Sequence, residues 1–374
     1  ASYTSPGGKT TFCQYSKAGD LVKIEDADGE VLFCYDENGN PTEITDRRGN
    51  KQLLEYNEMG QLASVTDFQG NRYQYTYDVR GNLSREINPL GAQTGYIYDA
   101  GGNNTARTDG NGNVTAYAFD EAGRLTQVTD AAGGILQYVY DAMGRIGTVI
   151  DPLKRQTVYT YDAQGRVISK INALGHSVSY TYDQAGNLLT RTDEDGVIIT
   201  YTYDAENRLL TQTSPDGTTH FTYDKLGRMT AVKTPDEAVR TAAYDEDGSL
   251  TELSDQENNK TTYVYDEAGH LLQTTASDGG KTIRQYDENG NCTKITDAEG
   301  NSRSYTFNAN NQITAVTDAL GQITTCEYDE AGQLAAVTDA RGGRRILSYD
   351  HNGNLICETN PLGGIRTYTY DCLN

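Results

Sequence analysis

The chain has 374 residues, a formal net charge of −22, 28 tyrosines and no tryptophan. So acidic a polypeptide excludes nucleic acid as a partner, because phosphates need Lys and Arg, and it excludes an anionic membrane surface. No apolar run of about 18 residues exists, which excludes insertion into a bilayer by a helix.

In chain order, a degenerate first unit closes on Tyr15, and a regular phrase then begins at Tyr35: aromatic, Asp, two variable residues, Gly, a polar residue, an aliphatic residue. It returns at Tyr56, Tyr77, Tyr98, Phe119, Tyr140, Tyr161, Tyr182 and Tyr203. It continues through Tyr223, Tyr244, Tyr265, Tyr286, Phe307, Tyr328, Tyr349 and Tyr370. The spacing is 21 residues, apart from the steps of 20 that lead to Tyr35 and Tyr223. So strict a period over the whole chain is the mark of a repeat architecture.

Each copy predicts two strands and two turns. Twelve of the 18 aromatic anchors have Tyr or Phe two residues earlier, as in Tyr180 and Tyr182. Residues two apart on a strand share a face, so each repeat sends a pair of rings to one side of a sheet. Six residues after the anchor stands Leu, Ile, Val or Met in 14 of 17 copies, among them Leu62, Leu125 and Leu188. Nine residues after it Val or Ile is frequent, as at Ile44, Val65 and Val316. Aromatic and β-branched residues alternating with Thr describe half-buried strands.

The five-residue turns after the anchors (DENGN at 36–40, DQAGN at 183–187) set Asp early and Gly late. An Asp carboxylate can accept from its own backbone two residues on, and Gly tolerates positive φ. A second turn precedes each next anchor, as in DEDG at 193–196 and DAEG at 297–300. The expectation is therefore all-β: an array of about 17 β-hairpin repeats of 21 residues, continuous over 1–374. About 34 strands at roughly 4.8 Å would spread about 160 Å, and the twist of such a sheet should curl it into a long, curved, spiralling antiparallel sheet, an open part of a shell. The ring face would line the concave side or pack on a next layer, with Asp-rich turns along two rims. Buried Tyr keeps a hydroxyl that needs a partner, so ring ladders and hydroxyl hydrogen bonds are expected.

The phrase Y-D-x-x-G-[RN]-L followed by T-D-x-x-G, as in YDEAGHL at 265–271 and YDAQGRV at 161–167, resembles the YD repeat of Rhs proteins across essentially the whole chain. That family includes bacterial Rhs and wall-associated polymorphic toxins, the shell of insecticidal Tc toxin complexes, and the animal teneurins. The resemblance implies a large spiralling β-sheet that closes into a hollow shell around a toxic cargo domain, or a support for adhesion contacts. The self-cleaving aspartate boundary and the variable toxin tail of the family have no counterpart here. Because the sequence stops inside a turn motif, YDCLN, with no cap and no leader in ASYTSPGGKT, the expectation is a segment of a longer array.

Candidate chemistry is sparse. His176, His220, His270 and His351 fall at different repeat phases, and the six cysteines show no metal spacing. No nucleophile, zinc or phosphate-loop motif occurs, so no enzyme and no cofactor are expected. Calcium is the one candidate ion, through Asp26, Asp28, Asp109, Asn111, Asn113, Asp193 and Asp195, since closely spaced Asp and Asn supply the oxygens it takes. The same residues are what type I turns require. The region 234–285 breaks the pattern most, with PDEA at 235–238, Ala242 for a ring, and Arg284 for another. The leading reading is a non-catalytic shell segment of a secreted or surface-delivered bacterial protein, partnered by the rest of its own polypeptide and walling off a cargo domain. The alternative is an extracellular adhesion module that binds glycans or a surface protein through its rims and rings.

Overall fold

The computed structural model describes residues 1–373. Thirty-six strands form one open antiparallel sheet, from Ser2–Thr4 to Ile365–Thr367, with no helix among the described residues. Strand pairs with next strand throughout, as a meander of hairpins should.

One repeat shows how the sequence builds the unit. Strands Ser177–Tyr182 and Leu188–Thr192 pair with Tyr182 opposite Leu188 and Thr181 opposite Thr190, leaving Leu189 as a bulge. The Asp183 N–H donates to Asn187 O at 2.9 Å, and the Gly186 N–H donates to Asp183 O at 3.3 Å. Gly186 sits at φ 98°, open to a residue without Cβ. The second turn repeats the geometry, with Asp193 N–H on Val197 O at 3.0 Å and Gly196 N–H on Asp193 O at 3.1 Å.

The two 20-residue steps have a local cause. At 26–29 and 214–217 the second turn shrinks to a tight hairpin in which Asp26 pairs with Gly29 and Ser214 with Gly217. Elsewhere five residues separate the last paired residues, as between Ile171 and Ser177.

The irregular stretch keeps its backbone. Glu237 takes the glycine position of PDEA at φ 67°, and the turn still closes through Thr234 and Ala238. Strands Met229–Lys233, Val239–Tyr244 and Leu250–Ser254 pair in the same register as their neighbours. Ala242 and Arg284 thus change side chains, not topology.

A single sheet leaves little interior. Among the described residues only Ala336, Leu347, Ser64 and Ser254 are buried. The ring face is half-buried and the Thr face exposed, as the alternation along Ser177–Tyr182 shows. The chain divides into two compact units: one of Ala1–Val114, Asp245–Ser249 and Tyr263–Asn374, the other of Thr115–Tyr244 and Leu250–Thr262.

Candidate functional site: anchor tyrosines and turn rims

The anchor tyrosines act within the sheet. Tyr161 Oη donates to Ile146 O at 2.7 Å, Tyr182 to Val167 O at 2.8 Å and Tyr203 to Leu188 O at 3.0 Å. Each acceptor is the carbonyl of the aliphatic residue six after the preceding anchor. The same bond joins Tyr35, Tyr77, Tyr140, Tyr223, Tyr244, Tyr286, Tyr328, Tyr349 and Tyr370 to the repeat before. Burial pushes the Tyr182, Tyr203 and Tyr286 hydroxyls above their ordinary range. The remaining anchors Tyr56, Tyr98, Phe119, Tyr265 and Phe307 close their strands in the same phase.

Among the described residues no Tyr or Phe ring stacks on another Tyr or Phe ring, as the sequence suggested they would. Within the second unit a guanidinium lies over the next anchor ring: Arg124 over Tyr140 and Arg145 over Tyr161 at 4.6 Å, Arg166 over Tyr182 at 4.8 Å. Arg208 over Tyr223 and Arg228 over Tyr244 continue the series. Each of these arginines is also held by its own turn; Arg166 Nε reaches Asp162 Oδ2 at 2.7 Å while its Nη1 donates to Asp183 O. In the first unit the position carries Asn, Gln or His, or Asp20 and Ser249, instead, and His270 stacks on Tyr286 at 4.7 Å.

The calcium candidates lie in three separate turns. Asp193 Oδ1 accepts from the Asp195 and Val197 amides, and Asp195 is exposed. Asp26 accepts from the Asp28 amide and pairs with Arg47. Asp28 has His270 Nδ1 at 3.6 Å; its burial lifts its carboxyl above the usual range despite the nearby His270 and Arg47. Asp109 Oδ1 accepts from the Asn111 and Asn113 amides. These oxygens are spent on turn amides, as an Asx turn requires. Among the described residues no three His, Cys, Asp or Glu groups converge on a metal position.

Sequence reasoning missed a seam within the first unit, where turns of the 1–114 arm meet turns of the 263–374 arm. Asn289 Nδ2 donates to Asp46 Oδ2 at 2.9 Å, Asn310 Nδ2 to Asp67 Oδ2 at 2.7 Å, and Asn352 Nδ2 to Asp109 Oδ2 at 2.8 Å, each pair 243 residues apart. Asn111 Nδ2 returns a bond to Asp350 Oδ2 at 2.9 Å. Arg48 Nη2 spans to Asn308 O at 2.9 Å and Asn311 Oδ1 at 2.7 Å, with Nη1 3.6 Å from Asp287. Gln69 Nε2 meets Gln312 Oε1 at 3.3 Å. At the other end Asp247 takes the Gly7 N–H at 2.5 Å and lies 3.6 Å from Lys9 Nζ. Burial alone would raise the carboxyls of Asp46 and Asp67, but bonds from Asn50 and Asn289, and from Asn310 and Asn71, outweigh it and hold both below the usual carboxylate range. Asp109 and Asp350 are held low against burial in the same way. The signal available in the sequence was the third residue after the anchor, which becomes Asn at 289, 310 and 352.

Known proteins can be set beside this geometry. The sequence model of the teneurin YD-shell family matches residues 8–173 and 127–246, more than half of the chain, and the RHS repeat matches 244–281, 286–322 and 307–344. Comparison with curated proteins yields no match. Among solved structures, the crystal structure of TcdB2-TccC3 superposes with a TM-score of 0.71 at 16% identity, over 97% of this chain and 27% of that one. The Photorhabdus luminescens Tc holotoxin pore structure gives 0.63 at 14%, over 94% and 23%. TcdB2-TccC3 without its hypervariable C-terminal region gives 0.56 at 17%, over 96% and 22%. These likenesses are of fold, and the chain spans about a quarter of the structures it matches.

Proposed function

The chain belongs to the teneurin YD-shell family, and from that premise we propose that its repeats are wall: a structural shell segment that keeps a cargo domain away from solvent and proteases. The observation that supports this reading is the seam. A wall built from a single sheet has two open rims, and bonding one rim to another twelve anchors on, as Asn289 does to Asp46, closes what would be a gap. The even use of side chains points the same way. Tyr hydroxyls and Arg forks are engaged in holding one hairpin to the next and turn carboxylates in closing their own turns, which leaves the repeats to carry load rather than chemistry. The cargo is part of the same polypeptide or of a partner, and the setting is outside the producing cell, as for a secreted or surface-delivered bacterial toxin. The reading is tested by limited proteolysis of the complete polypeptide that carries this array, against its cargo domain expressed alone. A cargo cut more slowly by about tenfold inside the whole supports the wall. A cargo cut equally fast in both removes it and leaves adhesion, through glycan or surface-protein contacts, as the working reading.

A further inference from the structure

We propose that the seam is a side-chain register code: an amide at the third turn position of the 263–374 arm selects the turn carboxylate of the 1–114 arm that lies 243 residues earlier. The proposal rests on the wall reading but names what holds the wall's rims together. Three facts support it. First, the amide is confined by position. The third residue after the anchor is Met59, Arg80, Gly101, Ala122, Met143, Gln164, Ala185, Glu206 and Leu226 at turns that make no seam, with Asn38 the one asparagine among the turns before 247. It becomes Asn289, Asn310 and Asn352 where the arms meet, and all three donate across, whereas Asp247 in the same phase accepts from the Gly7 N–H.

Second, the exceptions complement each other. The register of 243 sets Ala331 opposite Asn88, so where the acceptor carboxylate is itself an amide, the donor is replaced by a methyl group. In the tight hairpin at 26–29, where Asp26 is already paired with Arg47, the residue in the donor phase is Ala268, and His270 faces Asp28 in its stead.

Third, the approach is close enough to be read sterically. A Cβ on Gly110 would stand 2.5 Å from the His351 carbonyl oxygen, although Gly110 does not have the positive φ of its neighbour Gly112 at 87°. Gly110 is thus required by the facing turn and not by its own turn. A carboxylate accepting an amide N–H across a part-buried junction is directional, and a mismatch of one repeat would set Asp67 or Asp46 against Ala331 or Ala268 and lose the bond.

The code predicts the partner that can lie on such a rim. It is a YD-type turn with Asn three residues after its anchor, not a second copy of this chain docking through its turns at 59–226, where that asparagine is missing and Gln164 is the one longer amide.

The test uses the full 374-residue chain and hydrogen–deuterium exchange at the facing turns 46–50, 67–71, 109–113, 287–291, 308–312 and 350–354. The triple variant N289D/N310D/N352D sets carboxylate against carboxylate. At pH 7.5 those turns are expected to exchange about tenfold faster, with strands of the second unit such as Ser177–Tyr182 unchanged. Adding D46N/D67N/D109N exchanges donor and acceptor, and protection should return to within about twofold of the parent. The turns at 88 and 172 already carry Asn in that role, so Asp→Asn leaves the turn able to form. Gly110→Val gives an independent reading at one junction: faster exchange at 350–354 with the distant junction at Asp46 unchanged. Unaltered exchange in the triple variant, or a sixfold variant that stays open while its strands remain protected, overturns the code. Neither readout involves cargo, so loss of cargo protection with this exchange pattern intact would reject the wall and leave the code standing.

Discussion

Tyr161 shows what one side chain contributes. Its hydroxyl crosses back to Ile146 O at 2.7 Å while its ring carries the Arg145 guanidinium at 4.6 Å, and Arg145 Nη1 also donates to Asp162 O at 3.1 Å. One phenol therefore ties two consecutive hairpins by a main-chain bond and a stacked cation. Removing the hydroxyl leaves a part-buried carbonyl without that donor, which costs about 1 kcal/mol. Tyr161→Phe is expected to lower local stability by that amount, seen as faster exchange in strands Ile146–Ile150 and Gln156–Tyr161, with distant repeats unaffected. The two natural Phe anchors fit the same logic. Phe119 and Phe307 follow repeats whose sixth position is Asn104 and Cys292 in place of an aliphatic residue. Asn104 Oδ1 is buried without a partner, and Cys292 Sγ turns to Lys294 O. The hydroxyl is absent at two of the three places where the carbonyl's own side chain has changed; the third, Pro41, is followed by Tyr56. A loss confined to one junction under Tyr161→Phe would fit a chain whose repeats are coupled only to neighbours; a loss spread over the whole sheet would contradict it.

At the scale of the hairpin, turn geometry outlasts turn chemistry. Lys154 and Glu237 occupy the left-handed position at φ 65° and 67°, where most other turns use Gly and three use Asn, at 207, 258 and 311. A Cβ there is strained, so Lys154→Gly and Glu237→Gly are each expected to stabilise their hairpins by about 0.5–1 kcal/mol. Asn207→Gly should gain less, because Asn tolerates this region better. Denaturant midpoints of the single variants check both statements, and a destabilised Glu237→Gly would show that Lys233, which pairs with Glu237, matters more than the backbone. This tolerance explains how much of the element could be read. D-x-x-G marked turn after turn, and the ring pair marked one face, because these depend on residues within a few positions of each other. PDEA at 235–238 read as a break because the glycine was gone. The ladder on either side holds the turn regardless, with Thr234 N–H on Ala238 O at 3.0 Å. In the second unit the expected ring ladders give way for a related reason: Arg at the fifth turn position takes the anchor's face, and its phase was visible in YDAQGRV without its target being so.

At the scale of the molecule, the Asn phase at 289, 310 and 352 was legible but its target was not, because a contact 243 residues long depends on twist accumulated over twelve anchors, and no local pattern encodes that sum. What the seam adds is a pH dependence. Asp46, Asp67, Asp109 and Asp350 are held below the ordinary carboxylate range by amide donors, several of them from the opposite arm. A depressed folded-state value means the group contributes stability that is present above its unfolded value and disappears as pH falls through the folded one. The loss should therefore begin below about pH 4, with no change between about pH 5 and 8 from these groups. Asp28 works in the opposite sense, because its raised value makes its ionisation mildly unfavourable to the fold, but it is one group against four. The net charge of −22 also opposes the trend, since acid relieves self-repulsion. Salt separates the two. In high salt the repulsion is screened, so its relief no longer masks the loss, and the acid step should become clearer. Exchange at 46–50 and 287–291 measured from pH 7 to 3, with intrinsic rates corrected, gives the answer. The facing turns should open together below about pH 4, and in D46N/D67N/D109N, which lacks three of the four titrating acceptors, the step should shrink. A step of undiminished size in that variant would place the acid-labile bonds in the hairpins themselves, where Asp162, Asp183 and Asp204 are likewise held low by their own turns, and not between the rims.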